Sequence, residues 1–435
     1  MLRQIRWLTR VAGAFLAGAV VRLSRRLLRR PPRIWHGFSP LHATSWMVQA
    51  ERAAGFPSAS VTMNTRAARY ALVRREDFDV VFENETGRWD DIHWLTLLHL
   101  LRHGDIWNAY FDCLFFPTHE RWKNTAAFRL IRLAGIRIVV QPHGSDLLYT
   151  GNDRSRYHWT GRAQLDYPSW DLAAQRKVVE ARVALFGRHA DFVLAGDSLY
   201  EQWLPRFDLT FHTVPVDTKL LVPAEAPARA RPVIIHAPNH RHTKGTNELL
   251  ATLDLLERHG FPFELRLIEG VPRHEALMLY READIIADQF IMGAFGVFAL
   301  EGMALGKPVL TYLDEEHLRR PAFQHPLVNT TLENMAQVLA ALHAVPELRR
   351  RIGAAGRASV ERYQSFDAIG SVWMRIYRYV WWNEPLRLDD LPIFSSDRNP
   401  RSLSENPRDE GFWPVEVGDL IAEIREAAGR LDGAR

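Results

Sequence analysis

The segment His236-Ala237-Pro238-Asn239-His240-Arg241-His242-Thr243-Lys244-Gly245-Thr246 puts a guanidinium and an ammonium in one loop, after an apolar run and before a helix-patterned stretch. Arg241 and Lys244 could there neutralise the charge that develops on a departing diphosphate, with no metal required. A solvated loop carrying two surface cations would read the same way. A second segment runs from Ala287-Asp288 through Gly293-Ala294-Phe295-Gly296-Val297 to Glu301 and joins a strand to a helix. Its glycines would let backbone approach a ligand, and the helix start near Phe295, Gly296 and Val297 would offer N–H groups to phosphate oxygens. Glu301, one turn into the helix, is placed to grip two ribose hydroxyls; a tight turn with a buried, satisfied glutamate is the competing reading. A third segment, Gln141-Pro142-His143-Gly144-Ser145-Asp146, also follows an apolar run. His143 could hydrogen-bond a sugar hydroxyl, or serve as a core or capping histidine.

These segments need a scaffold that brings strand ends together. Arg33 to His36, Ala59 to Met63, Val80 to Phe82, Ala109 to Phe116, Ile136 to Gln141 and Phe192 to Leu194 read as strands. Helical stretches separate them, near Trp46 to Ala54, Trp94 to Leu101 and Trp170 to Phe186. After a linker at Val222 to Pro232, a second alternation follows. It comprises strands Val233 to His236, Leu265 to Ile268, Ile285 to Ala287 and Val309 to Leu313, with helices Asn247 to His259, His274 to Glu282 and one ending at Gly306. Strands alternating with helices imply mostly parallel sheets covered on both faces, which bind ligands beyond the strand C-termini. Asp367 to Trp382 reads as the last strong helix, and Val415 to Leu431 as a modest amphipathic one.

A length of 435 residues exceeds one ordinary core and predicts two α/β domains with additions. Hydrophobic residues at 47% and charged residues at 24% exclude a disordered chain. The single cysteine, Cys113, excludes an internal disulfide framework and a thiolate metal cluster, and suits a reducing compartment. The net charge of +4 hides an asymmetry, because eight arginines and no acid lie in the first thirty residues. The remainder is slightly acidic, which argues against a nucleic-acid partner.

That N-terminal arm, residues 1–32, has a short apolar run from Val11 to Val21 between Arg10 and Arg22, too short to span a bilayer. Leucines and arginines then alternate at helical spacing, as in a helix lying in an anionic interface. Two alternatives stand: a signal peptide cut near Ala17-Gly18-Ala19, and a helix packed on the protein body. Peripheral attachment at the cytoplasmic face of a membrane is the expectation.

Order and spacing of the three segments together resemble the retaining glycosyltransferases of the large group 1, family-four type, which have the GT-B fold. The likeness runs from about Ile34 to Trp382 and rests on Arg241…Lys244-Gly245, Ala283-Asp284…Phe295-Gly296…Leu300-Glu301-Gly302-Met303-Ala304-Leu305-Gly306-Lys307-Pro308-Val309, His143-Gly144-Ser145-Asp146 and Val214-Pro215-Val216-Asp217. It implies an α/β, two-Rossmann chain. Residues 33–222 would form an acceptor-side domain and 233–366 a nucleotide-sugar domain facing it across a cleft. Residues 367–382 would form a helix crossing back, and 383–435 a helical tail. The resemblance implies that Arg241 and Lys244 hold the donor diphosphate and Glu301 the ribose; His143 is expected from its own segment to orient the sugar. The acceptor, a glycan or lipid-linked molecule, would enter near Gly37, Ser39 and His42. In the family, two glutamates stand eight positions apart and the first contacts the donor sugar; here that position is Gly293. Asp288 is a candidate substitute.

No cofactor beyond the nucleotide-sugar substrate is expected, and no metal motif is found: Asp77-Phe78-Asp79 reads as a surface turn. No Gly-x-Ser-x-Gly nucleophile motif occurs. Two other functions fit the same fold: a nucleotide-sugar epimerase, and a non-catalytic sugar-nucleotide-binding or scaffold subunit motivated by Gly293.

Overall fold

The computed structural model describes residues 2–63, 75–83, 89–144, 146–147, 156–224, 229–318 and 325–394. Ser145 and the helix expected at 415–431 lie outside these residues. Two wholly parallel sheets form. The first contains β1 (Ile34–Gly37), β2 (Ser58–Met63), β3 (Val80–Phe82), β4 (Ile106–Tyr110), β5 (Arg137–Gln141) and β6 (Phe192–Val193), in the order β3-β2-β1-β4-β5-β6. The second contains β7 (Val233–His236), β8 (Glu264–Leu267), β9 (Ile285–Ala287), β10 (Val309–Thr311) and β11 (Val328–Asn329), in the order β11-β10-β9-β7-β8. Both are doubly wound orders, with direction reversing between β1 and β4 in one sheet and between β7 and β9 in the other. Ligand crevices of such sheets open at those reversals, beyond the strand C-termini.

In the first half the helices are α1 (Leu2–Leu27), α2 (His42–Ala53), α3 (Trp89–His103), α4 (Arg121–Leu133), α5 (Trp159–Asp166), α6 (Leu172–His189) and α7 (Ser198–Glu201). Its central strands β1, β4 and nearly all of β5 are buried on both faces. On one face Trp107 of β4 packs with Phe111 and Phe115 of the following loop, Phe128 of α4 and Phe186 of α6, each no more than 1% exposed. The opposite face receives Met47 of α2 together with Trp373, Ile376 and Tyr377 from the last helix. The second half has α8 (Arg241–Lys244), α9 (Thr246–Arg258), α10 (Arg273–Tyr280), α11 (Val297–Ala304), α12 (Glu315–Leu318), α13 (Met335–Ala344), α14 (Pro346–Tyr363) and finally α15 (Phe366–Trp382).

The last helix does not stay with the second sheet. Tyr377 Oη donates to Glu51 at 2.6 Å and accepts from Asn108 Nδ2 at 2.7 Å, so α15 is bonded to α2 and β4 of the first half. Its start is tied to the connection between the halves, where the Val216 amide donates to Gln364 O at 2.8 Å.

The strand expected over Ala109 to Phe116 is instead Ile106–Tyr110, and Phe111 to Phe116 form a loop. The physical reason is burial: Phe111, Phe115 and Phe116 enter the core from a loop and mimic the apolar run of a central strand. The helix α1 packs along α3, with Gly18 at the crossing, where a Cβ would meet the Leu101 carbonyl at 2.0 Å. Its arginine side faces inward. Arg22 is 2% exposed and donates to the carbonyls of Leu101, Gly104 and Ala134 at 2.6–3.0 Å. Leu16, Val20, Leu23 and Leu27, on a helical repeat, are exposed. Among the described residues, no helix is long and apolar enough to cross a membrane.

Candidate active site

Sequence-predicted site residues gather at the C-terminal edges of the two sheets, on the loops after β1, β5, β7 and β9 and at the start of α11. The loop after β7 is built on His236, whose ring bridges Ala287 O at 2.7 Å and Thr246 Oγ1 at 2.9 Å. Burial lowers the His236 imidazole to about 4 against the partial support of the Ala287 carbonyl, and Lys244, Asp288 and Glu269 all lie within its field. Those three charges therefore ring one strand end.

Lys244 ends α8, and its Nζ is 3.1 Å from Asp288 Oδ1. Asp288 is 1% exposed, and its second oxygen accepts the Gly296 amide at 2.9 Å. One carboxylate thus joins the cation of the first segment to the helix entrance of the second. The Gly296 N–H expected to meet a phosphate is capped by Asp288 in this structure, and Asp288 is committed to these two partners. Arg241 points elsewhere: its side chain is half exposed and forked onto Glu269, with Nε–Oε1 at 2.9 Å and NH2–Oε2 at 2.5 Å. The two cations share a strand-end cluster but hold different carboxylates. Asp166 of α5 accepts from the His242 and Thr243 amides at 3.1 and 2.9 Å, so the first half of the chain caps α8 directly.

Glu301, 4% exposed, accepts both Nε and NH2 of Arg273 on Oε1, at 3.1 and 2.6 Å. Burial holds its carboxyl above the usual range despite Arg273. Arg273 in turn stacks on Trp46 of α2, 3.8 Å from the ring centroid, which links Glu301 to the first half of the chain. His42, at the start of α2, is lowered to about 3, first by burial and then by the Arg273 charge. The Phe295 ring is turned into the core, so its backbone alone could meet a ligand. It is 3% exposed, stacked on His212 at 5.1 Å and met edge-on by His317 at 5.1 Å and His325 at 5.4 Å. Val297 opens α11 directly after the capped Gly296.

Gly293 has φ +84°, a left-handed conformation that a side chain strains. A Cβ there would lie 3.0–3.3 Å from the Asp314 side chain, which follows β10. Burial raises the Asp314 carboxyl, whose Oδ1 caps the start of α12 through the His317 amide at 2.8 Å.

In the first half, His143 Nε2 is 3.1 Å from Asp112 Oδ2, and Ser39 Oγ donates to the other Asp112 oxygen at 2.7 Å. Asp146 accepts three amides, those of His143, Gly144 and Phe111, at 3.0–3.1 Å. Burial opposes a charged imidazole at His143, yet Asp146 and Asp112 raise it to about 9. Burial would raise Asp112, but His143 foremost, then Ser39 and Arg182, bring it to about 2. Gly37 supplies a carbonyl that accepts the Cys113 thiol at 2.7 Å, and burial pushes that thiol up to about 12. Asp112, His143 and Asp146 offer three ligand atoms within 4.8 Å of one another. Their oxygens already serve amides, a hydroxyl and the imidazole, so the group is knit to itself.

Sequence reading missed Asp112, Glu269, Arg273 and Asp314. Each lies on a different loop or helix from its partner, and no local spacing marks it.

No family model matches the chain, and no curated protein sequence does. Solved structures do. Sucrose-phosphate synthase from Thermosynechococcus elongatus aligns with a TM-score of 0.54 at 14% identity, over 82% of this chain and 100% of that one. HepE of Anabaena in complex with UDP-glucose aligns at 0.52 and 14% identity, over 78% and 97%. The catalytic domain of starch synthase IV from Arabidopsis thaliana, bound to ADP and acarbose, aligns at 0.50 and 9% identity, over 81% and 100%. Two doubly wound parallel-sheet domains in this arrangement are the GT-B fold of those glycosyltransferases.

Proposed function

We propose that this chain is a glycosyltransferase that moves a sugar from a nucleoside-diphosphate donor to a glycan or lipid-linked acceptor, with retention, without a metal ion, and in the service of polysaccharide assembly. The observation that carries the reading is the Lys244–Asp288–Gly296 linkage at the sheet's reversal point, with Glu301 one turn further along α11. Sugar nucleotides are what the structurally similar HepE binds, and ADP is bound by the similar starch synthase. In this reading Lys244 meets the diphosphate, Arg241 leaves Glu269 to join it, and Glu301 takes the ribose. His143, kept protonated by Asp112 and Asp146, donates to the sugar. Charge of this kind stabilises a leaving diphosphate most in a water-poor site. Gly37, Ser39 and His42 line the acceptor side, and α1 with its outward leucines rests on the inner face of a membrane.

A second reading, a sugar-nucleotide-binding subunit without turnover, is favoured by Gly293, where the fold leaves no room for a donor-contacting glutamate. The two separate experimentally. A thermal-shift screen of nucleotide sugars should raise the melting temperature in either case, since a ligand of the native state stabilises it. Release of nucleoside diphosphate in the presence of a membrane extract should occur only for a transferase. It should fall by orders of magnitude in Lys244→Ala; near-normal turnover in that variant defeats the assignment.

A further inference from the structure

The helices α4 and α6 carry a charge pattern that the donor site does not use. Over Arg121–Leu133, α4 holds four basic residues and no acid; over Leu172–His189, α6 holds four basic residues and one acid. Between them opens a groove of ≈ 430 Å³, lined among others by Leu114, Arg121, Val178, Arg182, Leu185 and Arg188. Its size is that of a small-ligand site. Among the described residues no carboxylate pairs with Arg121, Arg182 or Arg188, and the buried Nε of Arg182 has no hydrogen-bond partner. Three guanidinium groups held in no ion pair among the described residues, of which Arg182 also lies in the field of Asp112, form over an apolar lining a surface for an anion attached to hydrocarbon, because guanidinium forks fit phosphate oxygens while the aliphatic walls take the chain.

Two further observations set the direction. At the outer side, Trp122 and Leu133 of α4 are 72% and 76% exposed, beside Arg129 and Leu130. Large apolar side chains interleaved with arginines favour an anionic bilayer surface over bulk water. At the inner side the groove reaches Leu114, two residues beyond Asp112, and Arg182 is near enough to act on the Asp112 carboxylate that holds His143. We propose that this groove seats the phosphate-bearing headgroup of a membrane lipid and that this lipid is the acceptor, drawn from the bilayer toward His143. The acceptor role rests on the transferase reading above; the headgroup site does not.

The test uses the full chain, floated with phosphatidylcholine vesicles and with the same vesicles containing phosphatidic acid. The variant Arg121→Gln/Arg182→Gln/Arg188→Gln should lose affinity for the anionic vesicles on the order of 100-fold, from about one kcal/mol per cation near such a surface. The control Arg258→Gln/Arg281→Gln/Arg362→Gln, with the same charge change on exposed residues of the other half, should float as the wild type does. Equal flotation of the groove variant and the wild type overturns the proposal. Stabilisation by inorganic phosphate as strong as that by short-chain phosphatidic acid also overturns it, since the site then takes free phosphate. Unfolding and donor-induced thermal shifts are read on the same samples. A groove variant that melts normally while losing the lipid supports the proposal. If the wild type shows arginine-dependent lipid binding but no shift with any nucleotide sugar, the transferase reading and the acceptor role fall while the headgroup site stands.

Discussion

Asp314 fills the space that a side chain at Gly293 would need: a Cβ on residue 293 would come within 3.0 Å of the Asp314 Cβ and 3.1 Å of its Oδ2, while the Asp314 amide donates to Gly293 O at 2.9 Å. The positive φ of Gly293 and this packing act together. Gly293→Glu should therefore cost about 2–4 kcal/mol, from left-handed backbone strain plus overpacking. Urea unfolding measures it, and Gly293→Glu with Asp314→Gly should recover the packing part. A Gly293→Glu chain as stable as the wild type would show that this loop relaxes freely.

Asp288 is almost wholly buried, so its ion pair with Lys244 is a matter of stability as well as ligand binding. Lys244→Met removes the cation and leaves a carboxylate held by one amide, at a cost of about 3 kcal/mol. Adding Asp288→Asn should restore most of that stability without restoring donor binding. Calorimetric melting and a donor titration on the same pair of variants separate the two effects.

His143 is raised from 6.5 to about 9, so its pairing stabilises the fold fully below pH 6.5 and loses that contribution as pH rises toward 9. Asp112, lowered from 3.8 to about 2, contributes above pH 3.8 and loses its share as pH falls toward 2. The stability gap between wild type and His143→Gln should be widest between pH 4 and 6.5, near those two ordinary values, and shrink on both sides. A gap independent of pH from 6 to 9 contradicts the pairing. The His143 ring resonances, followed by NMR, give the titration directly.

Trp46→Ala should loosen the link between Arg273 and the first half of the chain. Loss of a desolvated cation–π contact is worth about 2 kcal/mol, and the emptied core position adds to it. Trp46→Phe should restore most of the packing and part of the contact. A Trp46→Ala chain that melts within a degree or so of the wild type would sink this account.

Much of the scaffold was legible. Val233-Ile234-Ile235-His236 and Ile285-Ile286-Ala287 are short β-branched runs, and both are strands over those bounds. The edges of β4 were not legible, because Phe111, Phe115 and Phe116 are core residues supplied by a loop. The site was legible as segments and not as pairs. Lys244 and Asp288 were both visible, but their contact is created by the adjacency of β7 and β9, which no spacing along the chain encodes. The burial of the Phe295 ring among three imidazoles was not legible either, because a glycine-flanked aromatic looks alike whether its ring faces a cleft or a core. Which side of α1 is turned inward was likewise not legible, because helical spacing gives two faces and does not say which one packs.

That inward turn ties the arm to the folded body through Arg22 and Gly18. A chain begun at Pro31 would leave the carbonyls of Leu101, Gly104 and Ala134 without their shared guanidinium, and would uncover the groove of α3 that Gly18 fits. Shortening the protein to improve its behaviour in solution would then remove the outward leucines and unseat α3 in the same cut.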